Sequence, residues 1–409
     1  MSLFGSLFTG VAALNAQSQS MSIIANNIAN VNTDGYKKLN ASFSDLVVQT
    51  DRNAVYNSGG VRANTNYTLN QQGSLTQTEN KTDLALSGNG FFVVQQNTGA
   101  NQSQFFTRAG SFKLDSNGFL VNSAGYFLVG QPINANGTLG ANQPIAVNTV
   151  QPKLIQTANA TLALNLDATA ATSAATAPSF TRTLRVFDSQ GGAQDLTVQF
   201  NKTAANAWSM DVKLPGTGTA TGAPVALTFN TNGSIATIGG AAAPPATGFS
   251  LTAMNFGNGT DTTQAVKFDL TGITQFSSPF DVTFANQDGV PVGGFSGVSI
   301  DNAGIVTANF TNGLTQKLAV LPVAVFSNPN ALNAKSGNVY EATLASGQPN
   351  FKASGNGGAG TIASSTLEAS NVDLAEEFSR MIVTQRAYSA GTKVIATSDQ
   401  MLQELLNIR

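Results

Sequence analysis

FGSLFTGVAALNAQSQSMSIIANNI, residues 4–28, places apolar side chains at Phe4, Leu7, Val11, Leu14, Met21 and Ile28, with Ser18 and Ala25 in the remaining slots. Steps of three and four in alternation are the heptad rule for a helix that packs against other helices. The same spacing returns at the far end through Leu374, Phe378, Met381, Tyr388, Ile395, Leu402 and Leu406, with Gln385, Thr392 and Asp399 as polar slots. Periodicity alone fits equally well one buried helical hairpin of an ordinary domain. Two terminal helices around a long body of different texture point instead to ends that pair with each other and with neighbouring copies, which is the plan of an assembly protein.

A chain of 409 residues exceeds the usual size of one domain. Charged residues make up only 10% of it, against roughly a quarter in an average soluble protein. Asn, Gln, Ser, Thr and Gly supply the polarity instead. The net charge of -2 gives no electrostatic reason to expect nucleic acid or an anionic membrane as partner. No apolar run approaches the length of a membrane span.

Cysteine and histidine are both absent. That removes disulfides, thiolate nucleophiles, imidazole or thiolate metal sites and any Ser-His-Asp triad. Carboxylate pairs and lysine remain available for acid, base or nucleophilic chemistry, but the inventory argues against an enzyme. No catalytic residue, cofactor or metal is expected. The first charged residue is Asp34 and the first basic one Lys37, so the N-terminus lacks the positive region of a secretory signal and export would take another route.

The first helix is predicted to end near Asn30, where Asn30-Val31-Asn32-Thr33-Asp34-Gly35 gathers turn formers. Strand signals then dominate, beginning with Phe91-Phe92-Val93-Val94. Phe112-Lys113-Leu114 and Phe119-Leu120-Val121 flank Asp115-Ser116-Asn117-Gly118, a hairpin signal, and Asn136-Gly137 is another. Residues 158–178, rich in Ala and Thr, are expected to contribute little core. Strands resume at 183–187 and 196–200, the second alternating apolar with polar. Gly88-Asn89-Gly90 reads as a β-turn, since Val93 stands where a dinucleotide loop needs its third glycine. Asp373 reads as a helix cap, with Glu376 at capping-box spacing and Arg380 four residues beyond it.

The stretch Ala25 to Lys37, with Asn26, Asn27, Asn30, Thr33, Gly35 and Tyr36 as its distinctive positions, resembles the N-terminal signature of the axial proteins of the bacterial flagellum. Ser370-Asn371-Val372-Asp373-Leu374-Ala375-Glu376-Glu377-Phe378, continuing through Gln385-Arg386-Ala387-Tyr388, resembles their C-terminal signature. Phe106 to Phe112 and Gly118 to Val121 are similar to a block common to rod and hook subunits. Val186 to Gly191, then Phe200 to Thr203 and Trp208, resemble the outer domain inserted in the hook family, and Ile300 to Gly304, Phe326 to Pro329 and Gly337 to Tyr340 its inner β domain.

This resemblance implies a multidomain fold in which paired N- and C-terminal α-helices, coiled-coil-like, accompany two mainly-β domains nested as insertions. Residues 1–30 with 370–409 would form the inner helical assembly domain, and 31–80 with 356–369 the connecting region. Residues 81–145 with 285–355 would form a discontinuous inner β domain, and 146–284 an inserted outer one. The implied role is that of a hook subunit in a curved hollow tube, transmitting motor torque to the filament outside the cell. Implied partners are copies of the chain itself, the distal rod, hook cap and hook-filament junction proteins, and the flagellar type III export apparatus. A distal rod or hook-associated protein is the nearest alternative; a secreted β-rich adhesin is one of a different class. Because charges are cheap beside water and costly between subunits, Glu377, Arg380, Arg386, Lys393 and Glu404 on the C-terminal helix are expected to face the lumen.

Overall fold

The computed structural model describes residues 3–45, 60–99, 102–134, 136–173, 177–243 and 247–407, without the side chains at 3, 4, 405 and 406. The side chains of Phe4 and Leu406 therefore lie outside it. Helix α1 spans Leu3–Ala29 and helix α2 spans Leu374–Asn407. Among the described residues between them there are strands, turns and one short 3-10 helix at Pro329–Ala331. The chain divides into two compact units: residues 1–149, 298–308 and 316–409 form the first, and 150–297 with 309–315 the second.

In the first unit a mostly antiparallel sheet runs in the order Phe127–Pro132, Phe91–Gln95, Gln104–Thr107, Val339–Glu341, Asn333–Lys335. Every residue of Phe91–Gln95 is buried, as a short continuous apolar run in a central strand requires. Phe91, Phe106, Phe326 and Tyr340 form an edge-to-face aromatic core, with the Phe106 and Phe326 centroids 4.8 Å apart. Such geometry sets positive ring edges against negative faces.

The second unit is a β-sandwich. One sheet joins Phe180–Phe187, Ala193–Ala204, Ala207–Lys213, Val225–Phe229, Ile235–Ile238 and Ala241–Ala242 in sequence order. The other has the order Thr219–Thr221, Gly248–Asn255, Gln264–Phe276, Asn159–Asp167, Asp281–Gln287. Leu196, Val198 and Phe200 turn inward as their alternation predicts, and pack with Trp208, Met210 and Phe268.

One expectation fails here. Asn159–Asp167, within the stretch assigned little core, is an interior strand whose Ala160, Leu162, Leu164 and Leu166 are all buried. Period-two spacing of three leucines outweighs the small and polar residues alternating with them, Thr161, Ala163 and Asn165, which simply occupy the other face. This strand pairs parallel with Gln264–Phe276 and antiparallel with Asp281–Gln287.

One turn recurs throughout both units. An Asp or Asn donates its N–H to the carbonyl four residues on and accepts from the glycine three residues on; Asp115 does so at 2.9 and 3.1 Å, and Asn122, Asn134, Asp188, Asn230 and Asp301 repeat it. Gly118 takes φ 78° and Gly191 φ 79°, a region open to glycine at little cost. The side chain seals the loop: Asp115 Oδ1 accepts from the N–H of Asn117 at 3.0 Å and of Phe119 at 2.7 Å.

Candidate assembly interface

Helix α2 begins where the sequence predicts. Asp373 Oδ1 accepts from the N–H of Ala375 at 2.8 Å and of Glu376 at 3.2 Å, satisfying donors that the first turn leaves open. Glu376 turns its carboxylate to Lys38 at 3.1 Å and Arg380 at 2.6 Å. The hydrogen bond from Lys38, aided by the Arg380 charge, holds Glu376 below the usual carboxylate range.

The signature residues after α1 form a junction. Asn27 is fully buried: its Nδ2 donates to the Leu39 carbonyl at 2.8 Å and to Glu377 Oε2 at 3.1 Å, while its Oδ1 accepts from Leu39 N–H at 2.9 Å and the Tyr36 hydroxyl at 3.2 Å. One amide thus ties α1, the strand Leu39–Asp45 and α2 together. Burial, with the Glu377 and Tyr67 charges behind it, pushes the Tyr36 hydroxyl up to about 12. Asn30 Nδ2 donates to the Asn26 carbonyl and side chain at 2.9 and 2.8 Å, and Thr33 donates to Asn30 Oδ1 at 3.2 Å. Gly35, at φ 65°, lies so close to the backbone of Arg108 and Ala109 that a Cβ would stand 2.5 Å from the Ala109 nitrogen.

Beneath this turn is an ion cluster that sequence reading missed, because its members are 331 and 260 residues apart. Glu368, fully buried, pairs with Lys37 through one oxygen and with Arg108 at 3.2 Å through the other. Glu368 also accepts from Gly73 N–H at 2.8 Å, while Arg108 donates to the Gly88 carbonyl at 2.7 Å and stands 5.3 Å above the Phe91 ring. Burial pushes both cations down, and the Glu368 charge opposes that shift. The cluster joins both segments leading to the helices to the first unit's sheet.

The two helices pack antiparallel, on a seam displaced one position from the expected one. On α2 the buried residues are Glu377, Thr384 and Ser398, with Met381, Gly391, Ile395 and Leu402 half-buried beside them. On α1 they are Gly10, Ala16, Ser20, Ile23, Ile24 and Asn27, while Leu7, Leu14, Met21 and Ile28 are half-buried on the flank. Leu374, Phe378 and Val11, assigned to the seam, are 41%, 51% and 40% exposed, and Tyr388 is 39% exposed. Small residues decide the seam because helices approach more closely over them. A Cβ on Gly10 would meet Ile395 Cγ1 at 3.1 Å, one on Gly391 would meet Leu14 Cδ2 at 3.0 Å, and the Ser6 and Ser398 hydroxyls are 3.4 Å apart.

Glu377 therefore corrects the expected water-facing set: it lies inside the seam on Asn27. Arg380 is drawn to its flank, donating to Asn40 Oδ1 at 2.9 Å. Arg386, Lys393 and Glu404 are exposed. Separated by seven and eleven residues, they fall within about 20° of one another at ~100° per residue, on the side away from the α1 contact.

A terminal helix pair, a buried junction built from the signature residues and a β body are what the resemblance to the axial proteins of the flagellum implies. Residues 7–37 match the family described as Flagella basal body rod protein and 363–408 that described as Flagellar basal body rod FlgEFG protein C-terminal. Residues 85–169 match Flagellar hook protein FlgE/F/G D1 domain, and 157–290 Flagellar basal body protein FlaE D2 domain. The chain is 37% identical over 426 residues to flagellar hook protein FlgE of Rhizobium meliloti, covering 100% of both chains. It is 34% identical to that of Brucella suis over 412 residues, again covering 100% of both, and 34% identical to that of Salmonella typhimurium over 416, covering 98% of both. The chain belongs to the flagellar hook protein FlgE family.

Proposed function

We propose that this chain is the structural subunit of a flagellar hook, polymerising into a short curved hollow tube that acts as a universal joint between motor and filament. The observation that carries this reading is the 37% identity extending over the whole of both chains. Neither catalysis nor a cofactor enters the role. The helix pair acts as the inner assembly domain, residues 1–30 with 370–409. Residues 31–80 with 356–369 connect it to an inner β domain of 81–145 and 285–355, and 146–284 is the inserted outer domain; the compact unit over 150–297 supports an insertion there. Arg386, Lys393 and Glu404 line the lumen, since three co-aligned exposed charges are least costly beside water. Copies of the chain are the main partner, with the distal rod, hook cap and junction proteins at the ends of the tube. Delivery is by the flagellar export apparatus.

Electron microscopy of the purified protein after induced polymerisation tests this, with curved hollow tubes as the expected result. A protein that stays monomeric, or that is found in the rod segment of purified basal bodies, overturns it.

A further inference from the structure

Asn-Gly occurs seven times in the chain. An asparagine before glycine is open to attack on its side-chain Cγ by the glycine amide nitrogen, because no Cβ crowds the approach. Most of the seven are closed to it by the fold. The N–H groups of Gly118, Gly137, Gly233 and Gly313 close hairpins, donating to the carbonyls of Asp115, Asn134, Asn230 and Phe310 at 2.9–3.1 Å. The asparagine side chains are held as well: Asn136 and Asn232 accept from the Thr138 and Ser234 hydroxyls at 2.7 Å, and Asn312 donates to the Lys153 and Pro291 carbonyls at 2.8 and 2.7 Å. Asn258 is tied to Thr260 and Asp188, and Gly90 is buried.

Asn356 differs from all of these. It is exposed, its side chain makes no hydrogen bond among the described residues, and neither does the Gly357 N–H. The Asn356 carbonyl accepts from Ala359 N–H at 3.1 Å across a turn whose middle residues, Gly357 and Gly358, take φ 59° and 83°. A turn with two left-handed centres leaves the first of their N–H groups outside its closing bond. The base of the loop is fixed: Gly355 N–H donates to the Gly360 carbonyl at 3.1 Å, and the Ser354 hydroxyl donates to the Asn302 carbonyl at 2.7 Å while accepting from Ile362 N–H at 3.0 Å. One cation attends the turn. A Cβ on Gly357 would meet Lys352 Cδ at 3.2 Å and Nζ at 3.5 Å, so the ammonium lies beside the Gly357 peptide. Among the described residues no carboxylate pairs with it.

We propose that Asn356 is a self-deamidation site, with Gly357 supplying the attacking nitrogen and Lys352 the positive charge that favours it. The Gly357 nitrogen gives up its proton and bonds to Asn356 Cγ; the Cγ–Nδ2 bond breaks, and the amide leaves as ammonia carrying that proton. Water then opens the five-membered imide at either carbonyl, leaving aspartate or isoaspartate at position 356. Negative charge develops on the nitrogen and then on the side-chain oxygen, and a fixed cation beside both stabilises it. The product carboxylate inherits Lys352 as its ion-pair partner. It adds one acid to a chain of 22 acidic and 20 basic residues. The isoaspartate form also lengthens the backbone by one methylene, in the segment that leads through Thr361–Ser364 to Glu368.

The test incubates the whole protein at mildly alkaline pH in water labelled with heavy oxygen, then reads each Asn-Gly peptide by mass spectrometry. Acid at position 356 should build up about tenfold faster than at 117, 136, 232 or 312, where a hydrogen bond must first break. Unfolding in urea should bring the sites level, since the fold then protects none of them. Equal rates in the folded protein, or a lead for Asn356 that persists in urea, would overturn the proposal. Lys352→Met should slow conversion about threefold or more, and Lys352→Arg should restore it. Raised salt, which screens the same charge without a substitution, should slow it too. A rate indifferent to both the methionine and the salt overturns the role of Lys352, and a product in which Lys352 Nζ has itself displaced the ammonia overturns that of Gly357.

Discussion

Arg108 and Glu368 meet at 3.2 Å with almost no exposure to water, and Lys37 holds the other carboxylate oxygen. Removing the one anion strands two buried cations, whereas removing one cation leaves the other paired. Glu368→Gln should cost about 3–5 kcal/mol of stability in the unassembled chain. Lys37→Met should cost clearly less. Denaturant unfolding of the three proteins measures the ranking, and equal losses would contradict it.

The close approach of Gly391 to Leu14 makes the helix pair sensitive to size. Gly391→Ala gains helix propensity of about 1 kcal/mol but requires the Leu14 side chain to give way, so polymerisation should change little. Gly391→Leu cannot be accommodated and should weaken polymerisation strongly. Leu14→Asp, which puts a carboxylate against the same spot, should abolish it. Sedimentation reads all three.

Hydrogen exchange on the monomer should divide α1. The early turns of α1 meet α2 at Ser6, Gly10 and Leu14, and helices of this kind are marginal until their remaining face is covered. The end of α1 is pinned to Leu39 through Asn27. Slow exchange near 23–29, with fast exchange at 3–19 and beyond about 385, is the expected pattern. Uniform strong protection of both helices would refute it.

Burial raises Asp188, but donors from Gln194, Gly192, Asn258 and Gln190 outweigh it and hold the carboxyl below its ordinary value. A group with a depressed folded value adds stability above its unfolded range and loses it as pH falls through the folded one. The second unit should therefore weaken below about pH 4, and Asp188→Asn should flatten that acid limb. Trp208, the one tryptophan in the chain and buried in this unit, reports it by fluorescence.

Replacing residues 150–297 by a short Gly-Ser join should leave polymerisation possible, because the helices and the Lys37–Glu368–Arg108 cluster lie in the other unit. The tubes should be straighter, seen by electron microscopy. Loss of all polymer would mean that the inserted unit drives assembly.

The terminal helices, the Asp373 cap, the strands at 183–187 and 196–200 and the Asp115 hairpin were legible because each is set by neighbours within a few residues. The seam was legible only to within one position. Heptad spacing marks a stripe of large apolar residues, yet the closest contact falls on Ser6, Gly10, Gly391 and Ser398, which a hydrophobicity pattern passes over. Glu377 was misassigned for a related reason: a carboxylate reads as solvent-facing unless its donor, Asn27, is known to stand opposite. The Glu368 cluster left no local trace. The strand 159–167 carried its leucine alternation openly, but the Ala and Thr content around it obscured the pattern.

The recurrent glycine hairpins also bear on how the chain acquires its structure. Each closes over about five residues, and closure of such short loops is fast, on the order of microseconds or less. Asn159–Asp167 instead pairs parallel with Gln264–Phe276, across roughly a hundred intervening residues, a far larger loop entropy to overcome. Turns scattered through the body can therefore nucleate early and independently, while the long-range ladders of Asn159–Asp167, with Gln264–Phe276 and Asp281–Gln287, set the pace. For the second unit, refolding rate should respond to changes at Leu162 or Leu164 far more than to changes in any one hairpin.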